Sequence, residues 1–521
     1  MKKIFLLLLL VIACKKDDKV YDDPYAGGKK PLGVTMSTDL PTPSEAAPGV
    51  TIRFKGKGML KHKDSIHFNF NGEPGEILAI DSTGVEVKVP ETASTGVTSV
   101  TIGDQIFFGP VFKVKGNLEV DNNFKVVIGA NGAVLDVHRF SDGRLLMIGQ
   151  FSDYEHKGVV KPINRIVMTS KDGEIDRTLL SGRGADGALV TMDALPNGKL
   201  VAGGNFTSYD IHLAEIHNIT VLNSNGSIDS MTVNTFLKKD TVPAFNGGTD
   251  GTVNKVFVHN NMITAIGNFN YYLQYVYGES DFRHERDSLI TDSVVVRQLI
   301  RFYPNGSLDS SFNYDLSKHK SYDGANGPIN DAFMQADGKI IIVGRFTRYN
   351  GLPASNIARI NTDGSLDPGF GGAGADNAIN TIRYNETTQK FMLAGSFTKF
   401  DGASHHGLAM LKADGTTDEQ FSSLQMGTNE VFYCAQQLSN GLIIVTGNFK
   451  SYGNVHRSGL MVLDNKGALA AGYNNTGDLE GGVAKIFETT NSSGQTQALL
   501  LGYFYRFNQI DVGNITRLLF K

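Results

Sequence analysis

The chain reads as an all-β protein, and three observations carry that reading. Glycine is abundant, with 59 of 521 residues, tryptophan is absent, and long amphipathic helical patterns are hard to find; such turn-rich composition favours many short strands. A hexapeptide of the form Gly-x-Phe-x-x-(Tyr/Phe) recurs seven times: GQFSDY at Gly149, GNFTSY at Gly204, GNFNYY at Gly267, GRFTRY at Gly344, GSFTKF at Gly395, GNFKSY at Gly447 and GYFYRF at Gly502. The steps between these glycines are 55, 63, 77, 51, 52 and 55 residues. A period near 50 in a β-rich chain marks a propeller or solenoid, in which each repeat is a sheet that cannot bury its faces alone.

The first stretch, MKKIFLLLLLVIAC, places two lysines before an apolar run that is too short to span a bilayer. This is the pattern of an export signal over 1–13. Val11-Ile12-Ala13-Cys14 resembles a bacterial lipobox, which implies that Cys14 is acylated and becomes the mature N-terminus. Several acyl chains on one cysteine anchor a protein stably, whereas one does not. Lys15-Lys16-Asp17-Asp18 resembles the tag that sends Bacteroidota lipoproteins to the cell surface. The resemblance implies an outer-membrane, lipid-anchored protein facing the exterior. Residues 14–30 are charged and aperiodic, and are expected to be a flexible tether. The other cysteine, Cys434, lies in the apolar run VFYCAQQL and is expected to be a small core residue without a disulfide partner.

Residues 31–115 form a separate unit. Val50-x-Ile52-x-Phe54 and Val85-x-Val87-x-Val89 alternate as half-buried strands do, and Pro-Gly, Asn-Gly and Thr-Gly pairs punctuate them. The order PGVTIRFKGKG, FNG, VKVPETASTGVTSVTIG resembles an IPT/TIG domain, a small immunoglobulin-like sandwich. That family acts as spacer or interaction module.

Residues 116–521 hold the repeats. In the fourth, strands are predicted over 330–335, 339–346 and 356–361, with Asp337-Gly338 as a hairpin turn. Ile340, Ile342, Gly344 and Phe346 share one face of the second strand, and Ile341 and Val343 the other. Both faces are apolar, so the sheet must be covered on both sides, as a propeller blade is by its neighbours. The glycine is expected to admit the adjacent blade or loop, Phe346 to fill the wedge between blades, and Tyr349 to cap the same seam. The endings DGEID, NGSID, NGSLDSSF, DGSLDPGF and DGTTDEQF are read as turns rather than calcium loops, because EF-hand spacing is missing. The last repeat lacks this ending, while GNLEVDNNF at Gly116–Phe124 precedes the first repeat without an owner. Pairing the two predicts a closed seven-bladed β-propeller joined from both chain ends. The repeat pattern resembles the delta-60 repeat propellers of bacterial surface proteins. The whole architecture resembles uncharacterised surface lipoproteins of Bacteroidota polysaccharide-utilisation systems, whose family carries no established catalytic motif.

The formal charge of −4 becomes about −6 without Lys2 and Lys3, and no basic stripe stands out, so a nucleic-acid partner is not expected. The third repeat carries roughly 25 extra residues, and long insertions on rigid scaffolds are often functional. Within them Tyr271, Tyr272, Tyr275, Tyr277 and Phe282, with Arg283, are candidates to stack sugar rings and donate hydrogen bonds; the competing reading is a hairpin packed on its own sheet. His405-His406, and His212 with His217, lack further ligands at metal spacing, so no metal and no cofactor are expected. Asp136, Asp193, Asn254, Asn330 and Asn380 occupy equivalent first-strand places, and their repetition favours a structural role. No G-x-S-x-G, H-E-x-x-H or Walker-type motif is present. The expected function is non-catalytic capture of a polysaccharide for a neighbouring outer-membrane importer. The alternatives are an envelope adhesion or protein-interaction scaffold, and a polysaccharide lyase or hydrolase using the propeller channel.

Overall fold

The computed structural model describes residues 31–158, 162–288, 290–425, 427 and 429–521. Cys14, the export signal and the tether lie outside the described residues. Among the described residues the chain is all-β apart from one 3-10 turn at Met59–His62, and no helix is long and apolar enough to cross a membrane.

The N-terminal unit places eight strands in one hydrogen-bonded path. Thr35–Met36, Thr51–Lys57, Gly84–Lys88, Glu73–Ile80, Ile66–Phe70, Gly96–Ile102, Gln105–Val114 and Glu45–Ala46 follow in that order. The alternation seen in sequence sets the faces: Ile52 and Phe54 turn inward while Thr51, Lys55 and Lys57 stay exposed. The inward set closes on Phe54, Phe68, Phe70 and Phe112, whose rings lie 4.7–5.7 Å apart.

Seven main sheets follow among the described residues, beside six further ones, and each main sheet opens with an inner strand: Val134–Arg139, Ala188–Ala194, Thr252–His259, Ile329–Met334, Ile379–Asn385, Val431–Gln437 and Leu479–Thr490. Each inner strand packs against the next, and the last also packs against the first. Apolar clusters fill the seams. Ile340, Ile342 and Phe346 of the fourth sheet meet Ile266 and Leu299 of the third, while Ile341 and Val343 meet Phe391 and Leu393 of the fifth. Leu499, Leu501 and Ile515 of the seventh sheet join Val134, Leu145 and Met147 of the first. The two-faced apolar pattern therefore has a packing partner on each side. Of the fourth sheet's strands, Ile329–Met334 begins one residue earlier than the sequence predicts, and Ile340–Gly344 and Ile357–Ile360 run shorter.

The recurring hexapeptide is a joint with three parts. Its glycine does not admit an adjacent blade, as expected from sequence; it faces its own sheet's inner strand. A Cβ on Gly344 would lie 2.2 Å from the Pro328 carbonyl oxygen, and one on Gly149 2.0 Å from that of Ala133. Each position stands opposite a β-bulge, between Ile329 and Asp331 or Val134 and Asp136, and the bulge pushes a carbonyl toward the second strand. The phenylalanine is buried in every copy. The final tyrosine sends its hydroxyl to the glycine carbonyl of the sheet's closing turn, as Tyr349 donates to Gly364 at 2.9 Å and Tyr452 to Gly467 at 2.7 Å. Those turns are held by Asx oxygens: Asp363 accepts from the Ser365 amide and Asp414 from the Thr416 amide.

Where an aspartate follows the turn it closes an ion pair, Lys199–Asp229 at 2.7 Å, Arg301–Asp309 at 2.6 Å, and Lys390–Asp418 at 2.6 Å among them, whereas the sixth sheet has Ala470 there. In the seventh sheet the partners come from opposite chain ends. Leu118–Val120 pairs antiparallel with Ile515–Phe520, Arg517 meets Asp121 at 2.7 Å, and its guanidinium lies over Phe124 at 4.8 Å. The N-terminal unit docks on the sixth and seventh sheets. Thr95 donates through both its amide and hydroxyl to the Asn475 carbonyl at 2.9 Å, Asn71 donates to Asp478 at 3.0 Å, and buried Arg457 donates to the Thr92 carbonyl at 2.9 Å.

Candidate functional site

The third-sheet insertion folds as the hairpin Tyr271–Val276 and Ile290–Val295. Its first strand is covered at Tyr272 and Tyr275, which lie on opposite faces of the strand, and open at Tyr271. The Tyr272 hydroxyl donates to the Gly306 carbonyl at 3.2 Å and that of Tyr275 to the Ala214 carbonyl at 2.8 Å. Tyr275 also stacks on His217 with centroids 4.5 Å apart. Burial pushes Tyr272 and half-buried Tyr277 up to about 12. Tyr271 and Phe282 face outward, 44% and 87% exposed, with the Arg283 guanidinium 5.1 Å from the Phe282 ring. A second hairpin, Ser230–Asn234 with Lys239–Pro243, is tied to this one by the Leu237 amide on Asp287 at 3.0 Å.

Charged side chains of the inner strands meet one another between sheets and form a pinch. Lys255 of the third sheet meets Asp331 of the fourth at 2.8 Å; Arg383 of the fifth meets the same carboxylate and reaches across to the Ala484 carbonyl of the seventh at 3.2 Å. Lys485 pairs with Asp136 of the first sheet. The Arg383 and Lys255 charges outweigh burial and hold Asp331 below its ordinary range. Asp193, half-buried without such a partner, is pushed up by desolvation, against hydrogen bonds from the Val258 and Ala194 amides. The bulged first-strand residues act between sheets. Asp136 accepts from the Met192 amide at 2.9 Å, Asn330 donates to the Ile379 carbonyl at 2.9 Å, and Asn380 to that of Phe432 at 2.8 Å. Such bonds occupy groups that would otherwise be buried unpaired.

On either side of the pinch lies a vestibule. One, of about 840 Å³, opens where the inner strands begin, and Asn254, Asn268, Asn330, Asn380 and Arg297 line it. The other, of about 540 Å³, opens where they end, among Phe257, Phe333, Tyr384 and Phe487 with Gln436 and Glu386. The third-sheet hairpin and the docked N-terminal unit both rise from the end bearing the amide-lined vestibule, since both attach beyond the hexapeptide joints. Sequence reasoning missed Lys255, Arg383 and Lys485; their one signal was a lone basic residue on each first strand. Of the histidines, His405 is buried edge-on to Phe400, and His212 lies 2.7 Å from Glu215. Among the described residues no group of three His, Cys, Asp or Glu side chains converges as a metal site.

The comparisons with known proteins follow this geometry. The family described as a domain of unknown function, DUF5122 beta-propeller, matches residues 335–370, which run from the hairpin turn of the fourth sheet through its third strand. A second domain of unknown function, DUF5008, matches residues 10–110. No curated protein matches the chain. Among solved structures, the WD40 beta-propeller domain of Doa1 is 13% identical, covering 78% of this chain and 97% of that one, at a TM-score of 0.41. An auxiliary nutrient binding protein from Bacteroides ovatus is 12% identical, covering 93% and 97%, at 0.33. Another from Bacteroides thetaiotaomicron is 11% identical, covering 94% and 99%, at 0.31. The matched segment of the fourth repeat is thus similar to a beta-propeller family, and among the described residues the chain is all-β apart from one 3-10 turn.

Proposed function

We propose that this protein is a lipid-anchored, outward-facing surface protein of the outer membrane that captures a polysaccharide without cleaving it and passes it to a neighbouring importer. The observation that carries the reading is the amide-lined vestibule. Asn254 and Asn268 each offer a donor and an acceptor, and Asn330 and Asn380 keep acceptors after bonding their neighbours. That mixture suits hydroxyl groups, which also donate and accept. The pinch carboxylates Asp136 and Asp331 are held in ion pairs, which supports binding over acid-base chemistry. A closed seven-bladed propeller is the architecture this reading uses, supported by the cluster between the seventh and first sheets. The eight-stranded N-terminal unit serves as an IPT/TIG-like spacer, and Cys14 carries the lipid.

The test is to express residues 19–521, titrate soluble polysaccharides by calorimetry, and measure released sugar alongside. Binding without release, weakened by Asn254→Ala with Asn268→Ala, supports capture. Released sugar overturns the non-catalytic part, and binding to no polysaccharide overturns capture altogether. One observation favours adhesion as a second reading: Phe236, Leu237, Val276, Phe282 and Ile290 are all exposed on the paired hairpins, an apolar surface of the kind that marks protein contacts.

A further inference from the structure

The seventh repeat breaks the hexapeptide pattern at positions that packing does not explain. In the other six copies the residues flanking the phenylalanine are polar, as in Arg345 and Thr347 or Asn448 and Lys450; in GYFYRF they are Tyr503 and Tyr505. Its strands also pair beyond the joint, from Val483↔Gly502 out to Leu479↔Phe507, with a bulge that leaves Tyr505 unpaired opposite Glu480 and Gly481, and both tyrosines are exposed on this continued strand while Phe504 between them is buried. They are 53% and 64% exposed. A residue type repeated in every sheet is packing, whereas a pair of outward tyrosines in one sheet alone adds nothing to the fold.

The surroundings hold these rings ready. Gly482 leaves room for Tyr503, since a Cβ there would fall 2.2 Å from the ring's Cζ. Glu480 lies beside Tyr505, raising its hydroxyl, and 3.8 Å from Arg506. With Tyr433, Asn448 and Lys450 these residues line a groove of about 350 Å³ between the sixth and seventh sheets, on the end that bears the amide-lined vestibule. Of its charged lining, Lys450 faces Asp478 and Glu480, and Arg506 outside the groove lies 3.8 Å from Glu480, so the groove offers no excess positive charge to an anionic ligand. Two tyrosines at i and i+2 stand roughly 7 Å apart along a strand. They present flat, rigid, amphipathic faces at low entropic cost.

We infer that Tyr433, Tyr503 and Tyr505 form a stacking platform for a neutral glycan chain, with Lys450, Glu480 and Asn448 meeting its hydroxyls. The inference rests on the capture reading and gives it a second contact point beside the vestibule. The test titrates a starch, a β-glucan, a mannan, a xylan and, as an ionic contrast, a pectate against residues 19–521 and the Tyr503→Ala, Tyr505→Ala double variant. The expected result is a neutral polysaccharide that binds the parent and loses about tenfold or more in affinity with the double variant. Because the chain has no tryptophan, Tyr505→Trp supplies a single reporter whose emission should shift on adding that polysaccharide. If the polysaccharide binds both proteins equally and leaves the reporter unmoved, the platform is overturned while capture stands. Pectate binding in preference to all neutral chains overturns the neutral class. Binding of nothing to the parent overturns platform and capture together.

Discussion

Replacing Asp121 by alanine tests whether the joint between the two chain ends carries the stability its geometry implies. The Asp121 and Arg517 side chains are 1% and 6% exposed and meet at 2.7 Å. Arg517 also reaches Asp172 at 3.0 Å and the Lys171 carbonyl at 2.8 Å, so the substitution removes its one buried counter-charge and leaves the guanidinium in the seam. Breaking a buried pair from one side costs about 3–5 kcal/mol. The equivalent Asp176 in the first sheet is 19% exposed, and its partner Arg144 is 38% exposed and pairs with Asp142 as well; Asp176→Ala should cost less than about 1 kcal/mol. The assay is urea unfolding of residues 31–521 at neutral pH, followed by circular dichroism and by tyrosine emission. Replacing both partners, Asp121→Leu with Arg517→Met, should recover much of the loss, because an apolar pair avoids the desolvation cost. An Asp121→Ala midpoint no lower than that of Asp176→Ala would refute the reasoning.

Other outcomes follow from the same joints. Gly344→Ala forces a Cβ against the Pro328 carbonyl 2.2 Å away and should cost about 1–3 kcal/mol or more, read from the same unfolding curves. Tyr349→Phe leaves the Gly364 carbonyl without its donor and should cost about 1–2 kcal/mol, small enough to remain folded, since the fifth sheet naturally carries Phe400 at this place. Asp367 is held down at about 2, chiefly by Lys339 at 2.7 Å and also by Arg359 at 2.8 Å. A depressed carboxylate adds stability above its unfolded value of about 3.9 and loses it as pH falls through the folded value. Asp367→Asn should therefore be less stable than the parent at pH 7, with the gap closing between about pH 4 and pH 2.

What was legible in the sequence was local or periodic. The alternation of Ile340 to Val343 reports two buried faces whatever covers them, and the seven-fold hexapeptide reports a shared joint with a buried phenylalanine. The joint's details were less accessible. The glycine answers to a bulge carbonyl some sixteen residues earlier in the same sheet, and bulges leave little trace in composition. The insertion's tyrosines were visible as a cluster, yet separate tertiary partners buried Tyr272 against Gly306 and Tyr275 against Ala214 and His217, on opposite faces of one strand, while Tyr271 stayed exposed.

Tertiary structure alone decided the pinch between the inner strands. Arg383 finds Asp331 52 residues away and the Ala484 carbonyl 101 residues away, and no pattern along the chain encodes such a meeting. The docking of the N-terminal unit is of the same kind: Thr95 bonds Asn475 across 380 residues. Repetition fixes what every sheet needs in order to pack, because the same apolar burial recurs in each. The sites lie where single repeats depart from that rule, and their side chains gain partners only when distant sheets are brought together.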